Sequence, residues 1–286
     1  MQLSTNLQSS SVAPPPSGGL SPSQIEAYHR DGYVIPSYRL ADDDLKRLQE
    51  LTLRLVADNP HLRDKSMVCP HFPQPWVRDL RIGEPEAWLA FAQEPAILDL
   101  IESLIGPDIV LWGTNIFHKR AEAGPATPWH RDGRVPINPL ETVSVWIAVF
   151  DSFATNGCLR FIPGSHRAKT FGSHQLVYRE DMIFPTTLDP NEYDESQAVD
   201  IELEAGQMVL FDIHTVHGAR HNRGSEQRAG YSLRYMPGTA FYDHENAVGR
   251  DNGHHNRPLI LMRGIDRTGR NDFTRGHHPD PAENPG

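Results

Sequence analysis

The spacing of apolar positions changes partway along the chain. Up to about residue 106 apolar side chains recur every three or four positions, and beyond it they alternate or form short runs. The first pattern predicts helices with one buried face and the second predicts strands. "SPSQIEAYHRDGY" opens as a helix: Ser21 caps it, Pro22 takes the first helical position, and Gln24 completes a capping box. Gly32 ends that helix, and "YVIP" reads as a strand. Residues 40–57 predict a second helix, with Asp42, Asp43 and Asp44 at its positive end and Leu45, Leu48 and Leu55 as its stripe. A third helical region covers 84–104, broken near Pro95 and stopping before Gly106.

Beyond residue 107, "DIVLWGTNIFHKR", "TVSVWIAVF", "CLRFIPG", "VDIEL", "QMVLFDI" and "QRAGYSLRYM" read as strands separated by turn residues. No helical pattern recurs between them, which argues against alternating strand–helix units. The expectation is a mainly β protein with N-terminal helices, built as a double-sheet sandwich or barrel. Residues 1–20, rich in Ser, Pro and Gly, are expected to be a disordered lead-in. Residues 21–245 are the folded domain, and 246–286 a polar C-terminal extension ending in a loose tail. The segment 165–195 is an insertion of low regularity, with the makings of a small helix or a lid.

Composition narrows the function classes. The 286 residues carry a formal charge of −10 without a basic block, which disfavours nucleic acid and anionic membranes as partners. No apolar run is long enough to span a bilayer, and the first residues lack the pattern of a secretory signal. Cys69 and Cys158 make no disulfide framework, so a reducing cytoplasm is the plain expectation. The expected partner is a small molecule, with the chain acting as a monomer or homodimer.

Candidate chemistry starts at "TPWHRDGRVP", where His130 and Asp132 stand two apart. Among 15 histidines such a triplet arises easily by chance. On extended backbone, however, residues two apart share a face and can converge on one cation. His217, just past the strand "QMVLFDI", is the candidate third ligand, and Gly218 after it lets the backbone turn away beside a metal. Two histidines and a carboxylate are the signature of non-haem iron(II) oxygenases, although zinc can bind the same set. Arg228 follows eleven residues after His217 and can grip a carboxylate in a bidentate pair. Strand alternation puts Arg234 on the same side unless a bulge intervenes. Asn115 shares a strand face with Phe117 and Lys119. Trp146, Arg234, His71 and Arg78 are candidates for the substrate pocket, although Trp146 is most simply read, with Phe150, as one aromatic face of a strand. His214 is readable as an outer contact to the metal ligands or as a surface residue, and His166 as a local cap.

"WHRDG" at 129–133, "NGCLRFIPGSH" at 156–166 and "HGARHNRGSEQR" at 217–228 together resemble the phytanoyl-CoA dioxygenase family of iron(II)/2-oxoglutarate oxygenases. "HRDGYVIP" at 29–36 is similar to that family's N-terminal entry. The resemblance covers roughly residues 21 to 240. It implies a double-stranded β-helix, a jelly-roll and cupin-like fold. It also implies Fe(II), 2-oxoglutarate and O2 as cofactor and cosubstrates, with His130, Asp132 and His217 as iron ligands and Arg228 as the 2-oxoglutarate anchor. Lys119, with Asn115 on its strand face, stands where relatives make a polar contact near the cosubstrate, an ordinary lysine with its stem packed being the other reading. Ala219 and Gly224 stand where the family motif has Ser, which removes a hydroxyl at both places. Asp132 disfavours halogenation, which in a sister group needs a small residue there. The implied activity is hydroxylation of a small metabolite or natural-product intermediate. A small phosphonate as substrate, desaturation or ring closure, and a cupin-like isomerase or binding protein are the other readings.

Overall fold

The structure, a computed structural model, describes residues 18–62, 65–68, 71–72, 80–132, 135–247 and 254–277. Arg78 lies outside them, as does the final tail. Four helices come first: α1 (Pro22–Asp31), α2 (Asp42–Asp58), α3 (Pro85–Ala92) and α4 (Pro95–Ile105). The capping box is present, since Ser21 Oγ accepts the Gln24 N–H at 3.3 Å while Gln24 Oε1 accepts the Ser21 N–H at 3.0 Å. Pro95 opens α4 instead of breaking one long helix, because proline in a first turn forfeits no hydrogen bond.

The strands are β1 (Tyr33–Val34), β2 (Ser66–Val68), β3 (Ile109–Lys119), β4 (Thr127–His130), β5 (Ile137–Asn138) and β6 (Val143–Ala148). There follow β7 (Leu159–Phe161), β8 (His174–Leu176), β9 (Thr186–Leu188), β10 (Val199–Ile201) and β11 (Met208–Asp212). Last come β12 (His217–Ala219), β13 (Arg228–Pro237), β14 (Phe241–Tyr242) and β15 (Ile260–Arg263). A large sheet has the order β1-β11-β6-β13-β3-β15, with β2 also on β3, and a small sheet has the order β10-β7-β12-β4. All their pairings are antiparallel.

Two cores hold the layers together. The helices bury Leu48, Ile97 and Ile101 against Val145, Tyr231 and Leu233 on the outer face of the large sheet. Trp146, Leu159, Phe161 and Phe211 fill the space between the two sheets. Strand β13 serves both and is buried along its whole length. Tyr231 and Tyr235 point to the helices, their hydroxyls donating to the carbonyls of Trp88 at 3.1 Å and Ala92 at 2.9 Å. Arg228, Ser232 and Arg234 point the other way, into a cavity between the sheets. Polar groups so buried need partners there.

Three sequence expectations differ from what the chain does. The C-terminal extension is not merely an appendage: Ile260–Arg263 adds to the free edge of β3, and Arg263 pairs with Asp99 at 2.8 Å and Glu102 at 2.6 Å on α4. Leu20, assigned to the lead-in, is buried and donates its N–H to Ser103 Oγ at 2.9 Å. The 165–195 segment folds into the β8–β9 hairpin flanked by short 3-10 turns. Among the described residues, no helix is long and apolar enough to cross a membrane.

Candidate metal and cosubstrate site

Antiparallel pairing of β4 with β12 sets His217 directly opposite His130, with ring centroids 4.1 Å apart. Asp132 lies just past the end of β4, and its Oδ1 is 3.8 Å from the Nε2 of each histidine. The three ligand atoms lie within 4.8 Å of one another. Each Nδ1 faces a backbone carbonyl, that of Pro128 at 2.8 Å for His130 and that of Thr215 at 2.9 Å for His217. A carbonyl only accepts, so each Nδ1 carries the proton and each Nε2 turns a lone pair toward the aspartate. Two imidazole lone pairs and a carboxylate oxygen aimed at one point form a donor set that fits a divalent transition metal.

The loop carrying His217 is tied to the N-terminal helix. Thr215 Oγ1 donates to the carbonyl of Gly32 at 2.9 Å. Gly32 closes α1 with φ 85°, and a Cβ there would come within 2.5 Å of His166 Nδ1 and 2.6 Å of Thr215 Oγ1. Gly218 has a different purpose from the one expected. It makes no room for a metal; its missing Cβ would crowd the Thr127 carbonyl at 3.0 Å and the Trp129 ring at 3.3 Å.

Burial, reinforced by the neighbouring His217, holds the His130 imidazole down at about 3, and burial lowers His217 as well. Both rings are therefore neutral and ready to coordinate at ordinary pH. Burial, the largest single influence, would raise the Asp132 carboxyl, but Arg234, His217 and His130 together outweigh it and bring it to about 2. Arg234 Nη2 lies 3.4 Å from Asp132 Oδ1, and its Nη1 donates to Asn115 Oδ1.

The triad opens on a cavity that also meets Phe117, Trp146, Arg228, Ser232 and Arg234. Arg228 is 1 % exposed, stacks over the Trp146 ring at 4.6 Å, and leaves its buried Nε and Nη2 without a hydrogen-bond partner. Burial lowers this guanidinium to about 10, still charged at neutral pH. Trp146 reaches this position because residue 230 is glycine: a Cβ there would sit 1.9 Å from the indole.

Other candidates fall elsewhere. Lys119 pairs with Arg228 across β3 and β13, but its Nζ donates to the Arg220 carbonyl at 2.5 Å and it does not line the cavity. Burial first, then Arg228, pushes its ammonium well below the usual range. Asn115 also stays off the cavity wall and braces Arg234. His71, expected in the pocket, is buried outside the cavity with Nδ1 2.7 Å from Thr114 Oγ1. His214 turns to Asp212 at 3.1 Å, and His221 to Asp181 at 3.2 Å. His166 Nε2 meets the His29 carbonyl at 3.1 Å.

Sequence reasoning passed over Arg131 and Ser232. Arg131, between the two β4-side ligands, is buried and donates its Nε to the His214 carbonyl at 3.0 Å, linking both sides of the triad. Ser232 has a buried, unpartnered hydroxyl in the cavity wall. Its position two residues before Arg234 on one strand face was the available signal.

Relatives place this arrangement. A phytanoyl-CoA dioxygenase domain-containing protein 1 homolog of Dictyostelium discoideum is 29% identical over 164 residues, covering 54% of this chain and 57% of that protein. The apo structure of the non-heme monooxygenase ThoJ superposes with a TM-score of 0.63 at 24% identity, covering 85% of this chain and 84% of the other. CytC3 with Fe(II) and alpha-ketoglutarate superposes with a TM-score of 0.61 at 21% identity, covering 88% of this chain and 92% of the other. At these identities the two structures speak for the fold, a double-stranded β-helix of the jelly-roll kind. Residues 28–230, which include His130, Asp132, His217 and Arg228, match the phytanoyl-CoA dioxygenase family, and the chain belongs to that family.

Proposed function

We propose that this chain is an Fe(II)/2-oxoglutarate-dependent dioxygenase that hydroxylates an unactivated C–H bond of a small metabolite or natural-product intermediate, releasing succinate and CO2. One observation carries the reading. Arg228 holds a charged guanidinium with unpartnered N–H groups in the same cavity as the His130–Asp132–His217 donors. A buried cation without a counter-ion is costly, and a dicarboxylate reaching from the metal to Arg228 would remove that cost.

Bound iron supplies the activation of dioxygen. The protein's part is placement. His130, Asp132 and His217 would hold the metal, with their donor atoms at the cavity wall. The Pro128 and Thr215 carbonyls fix the tautomer and tilt of the two rings. Arg228 receives the distal carboxylate of 2-oxoglutarate, and the Trp146 face keeps water from that pair.

The test is protein loaded anaerobically with Fe(II) and 2-oxoglutarate, then exposed to oxygen with a panel of small polar compounds. The expected result is 2-oxoglutarate-dependent succinate, with one compound gaining an oxygen atom in step. Arg228→Ala should raise the 2-oxoglutarate requirement at least about tenfold, the loss expected for a charge-assisted bidentate contact. Succinate no higher than in the metal-free control would refute the proposal.

A further inference from the structure

We propose that the substrate carries a single negative charge, a carboxylate, seated against Arg234 and Ser232. This rests on the reading that the site holds ferrous iron and 2-oxoglutarate, and it adds the chemical class of what is hydroxylated.

The inference comes from counting charge. Among the described residues that line the cavity, the groups with charge to contribute are His130, Asp132, His217, Arg228 and Arg234. With both imidazoles neutral, the ferrous ion and Arg228 are balanced by Asp132 and the two carboxylates of 2-oxoglutarate. Arg234 is then one positive charge in excess. In the metal-free chain its counter-ion is Asp132, at 3.4 Å from Oδ1 and 3.5 Å from Oδ2. Those contacts are long for a charge-assisted hydrogen bond. Once Asp132 binds a metal, most of its charge is claimed by the ion. A guanidinium only 9 % exposed and deprived of its counter-ion calls for another anion.

The wall beside Arg234 is shaped to receive one. Alternation along β13 puts Arg228, Ser232 and Arg234 on the cavity face, and the register shift falls after Arg234, so it does not turn that residue away. Ser232 Oγ is buried in this row without a partner, and a carboxylate accepts from a hydroxyl as readily as from a guanidinium. Asn115 fixes one side of the Arg234 fork, and the rings of Trp112 and Phe117 lie 5.8 and 6.0 Å from its central carbon. These contacts hold the head in place. Arg228 and Arg234 stand six residues apart on the same strand face, so the cavity presents two buried guanidiniums, and the two carboxylates of 2-oxoglutarate leave the site one positive charge over. Arg257, whose Nη1 lies 3.6 Å from where a Gly113 Cβ would be, has interactions of its own and is left out of the count.

The test uses the anaerobic protein–Fe(II)–2-oxoglutarate complex and its visible absorption band, titrated with acetate, propanoate and benzoate and with the corresponding amides. At least one acid should perturb the band saturably while its amide does not. Arg234→Gln should weaken that response about tenfold or more. Ser232→Ala should weaken it by a smaller factor. The proposal is overturned if acids and amides act alike, if neither acts, or if Arg234→Gln responds as the parent does. It is also overturned if that variant loses only ferrous-ion affinity and keeps its preference for acids, because Arg234 then serves Asp132 alone. Failure of the band to form at all defeats the underlying dioxygenase reading instead, so the two failures are distinguishable.

Discussion

The inner row of β13 and the β8–β9 hairpin border the same site and are built in opposite ways. On β13 the side chains between the cavity residues are locked to the helices, with Tyr231 and Tyr235 hydrogen-bonded to α3 carbonyls. The hairpin exposes Leu176 (67 %) and Tyr178 (81 %). Its connecting loop is held by backbone bonds between Ala126 and both Asp181 and Ile183 at 2.9 Å, and Leu188 on its second strand is buried with Ile162 and Val216. Yet Phe184 from this segment packs edge-on against His130, at 4.9 Å between centroids. The difference teaches where each property resides. The candidate metal donors and Arg228 sit on or beside strands packed on both faces, and the segment that covers His130 from outside keeps an exposed face.

The largest effect expected on the rigid side is that of Asp132→Ala. Losing a direct ligand should exceed the loss seen for outer contacts, lowering ferrous-ion affinity at least about a hundredfold in an anaerobic titration. Unchanged affinity would remove Asp132 from the ligand set. Next is Gly230→Ala, whose methyl would enter the Trp146 ring. Overpacking of this kind should cost about 1–3 kcal/mol in denaturant unfolding, and a variant as stable as the parent would show that the row is less rigid than described.

A third effect probes the edge where β2 and the C-terminal segment meet. Burial, with Arg257 and His277 adding to it, lowers the His71 imidazole to about 3 from a usual value of 6.5. The unfolded chain therefore takes up a proton near 6.5 that the folded chain refuses until about 3. Stability from this group is fully present above 6.5 and is lost as pH falls toward 3, by up to about 1.4 kcal/mol per pH unit. Metal-free His71→Gln should show a shallower acid decline than the metal-free parent; parallel curves would contradict this. The smallest effect is expected on the hairpin. Leu176→Ser with Tyr178→Ser should change stability by no more than about 0.5 kcal/mol, and a large loss would show these side chains to be structural.

The same contrast explains what was legible in the sequence. Helix α1 and the strands of both sheets could be anticipated from local periodicity and turn chemistry, and the gathering of His130, Asp132, His217 and Arg228 on one cavity from the motifs that resemble the family's. Strand β15 could not. Ile260–Arg263 is four residues long, partly exposed and surrounded by polar sequence, and its only cue is the free edge of β3, which no local pattern announces. Lys119 shows a different shortfall. Alternation placed it on the correct strand face, but whether its amine would reach the cavity or the Arg220 carbonyl depended on a turn a hundred residues away. Gly218 was assigned to the metal when the Trp129 ring explains it, since a sequence does not show which side of a strand is crowded.

The most direct measurement is an anaerobic optical titration of the full chain with Fe(II) and 2-oxoglutarate. A weak visible band should appear only when both are present, saturate at one ferrous ion per chain, vanish in Asp132→Ala, and need at least about tenfold more 2-oxoglutarate in Arg228→Ala. A chain that takes up ferrous ion yet gives no band with 2-oxoglutarate, or one whose band is indifferent to Asp132 and Arg228, would contradict the account.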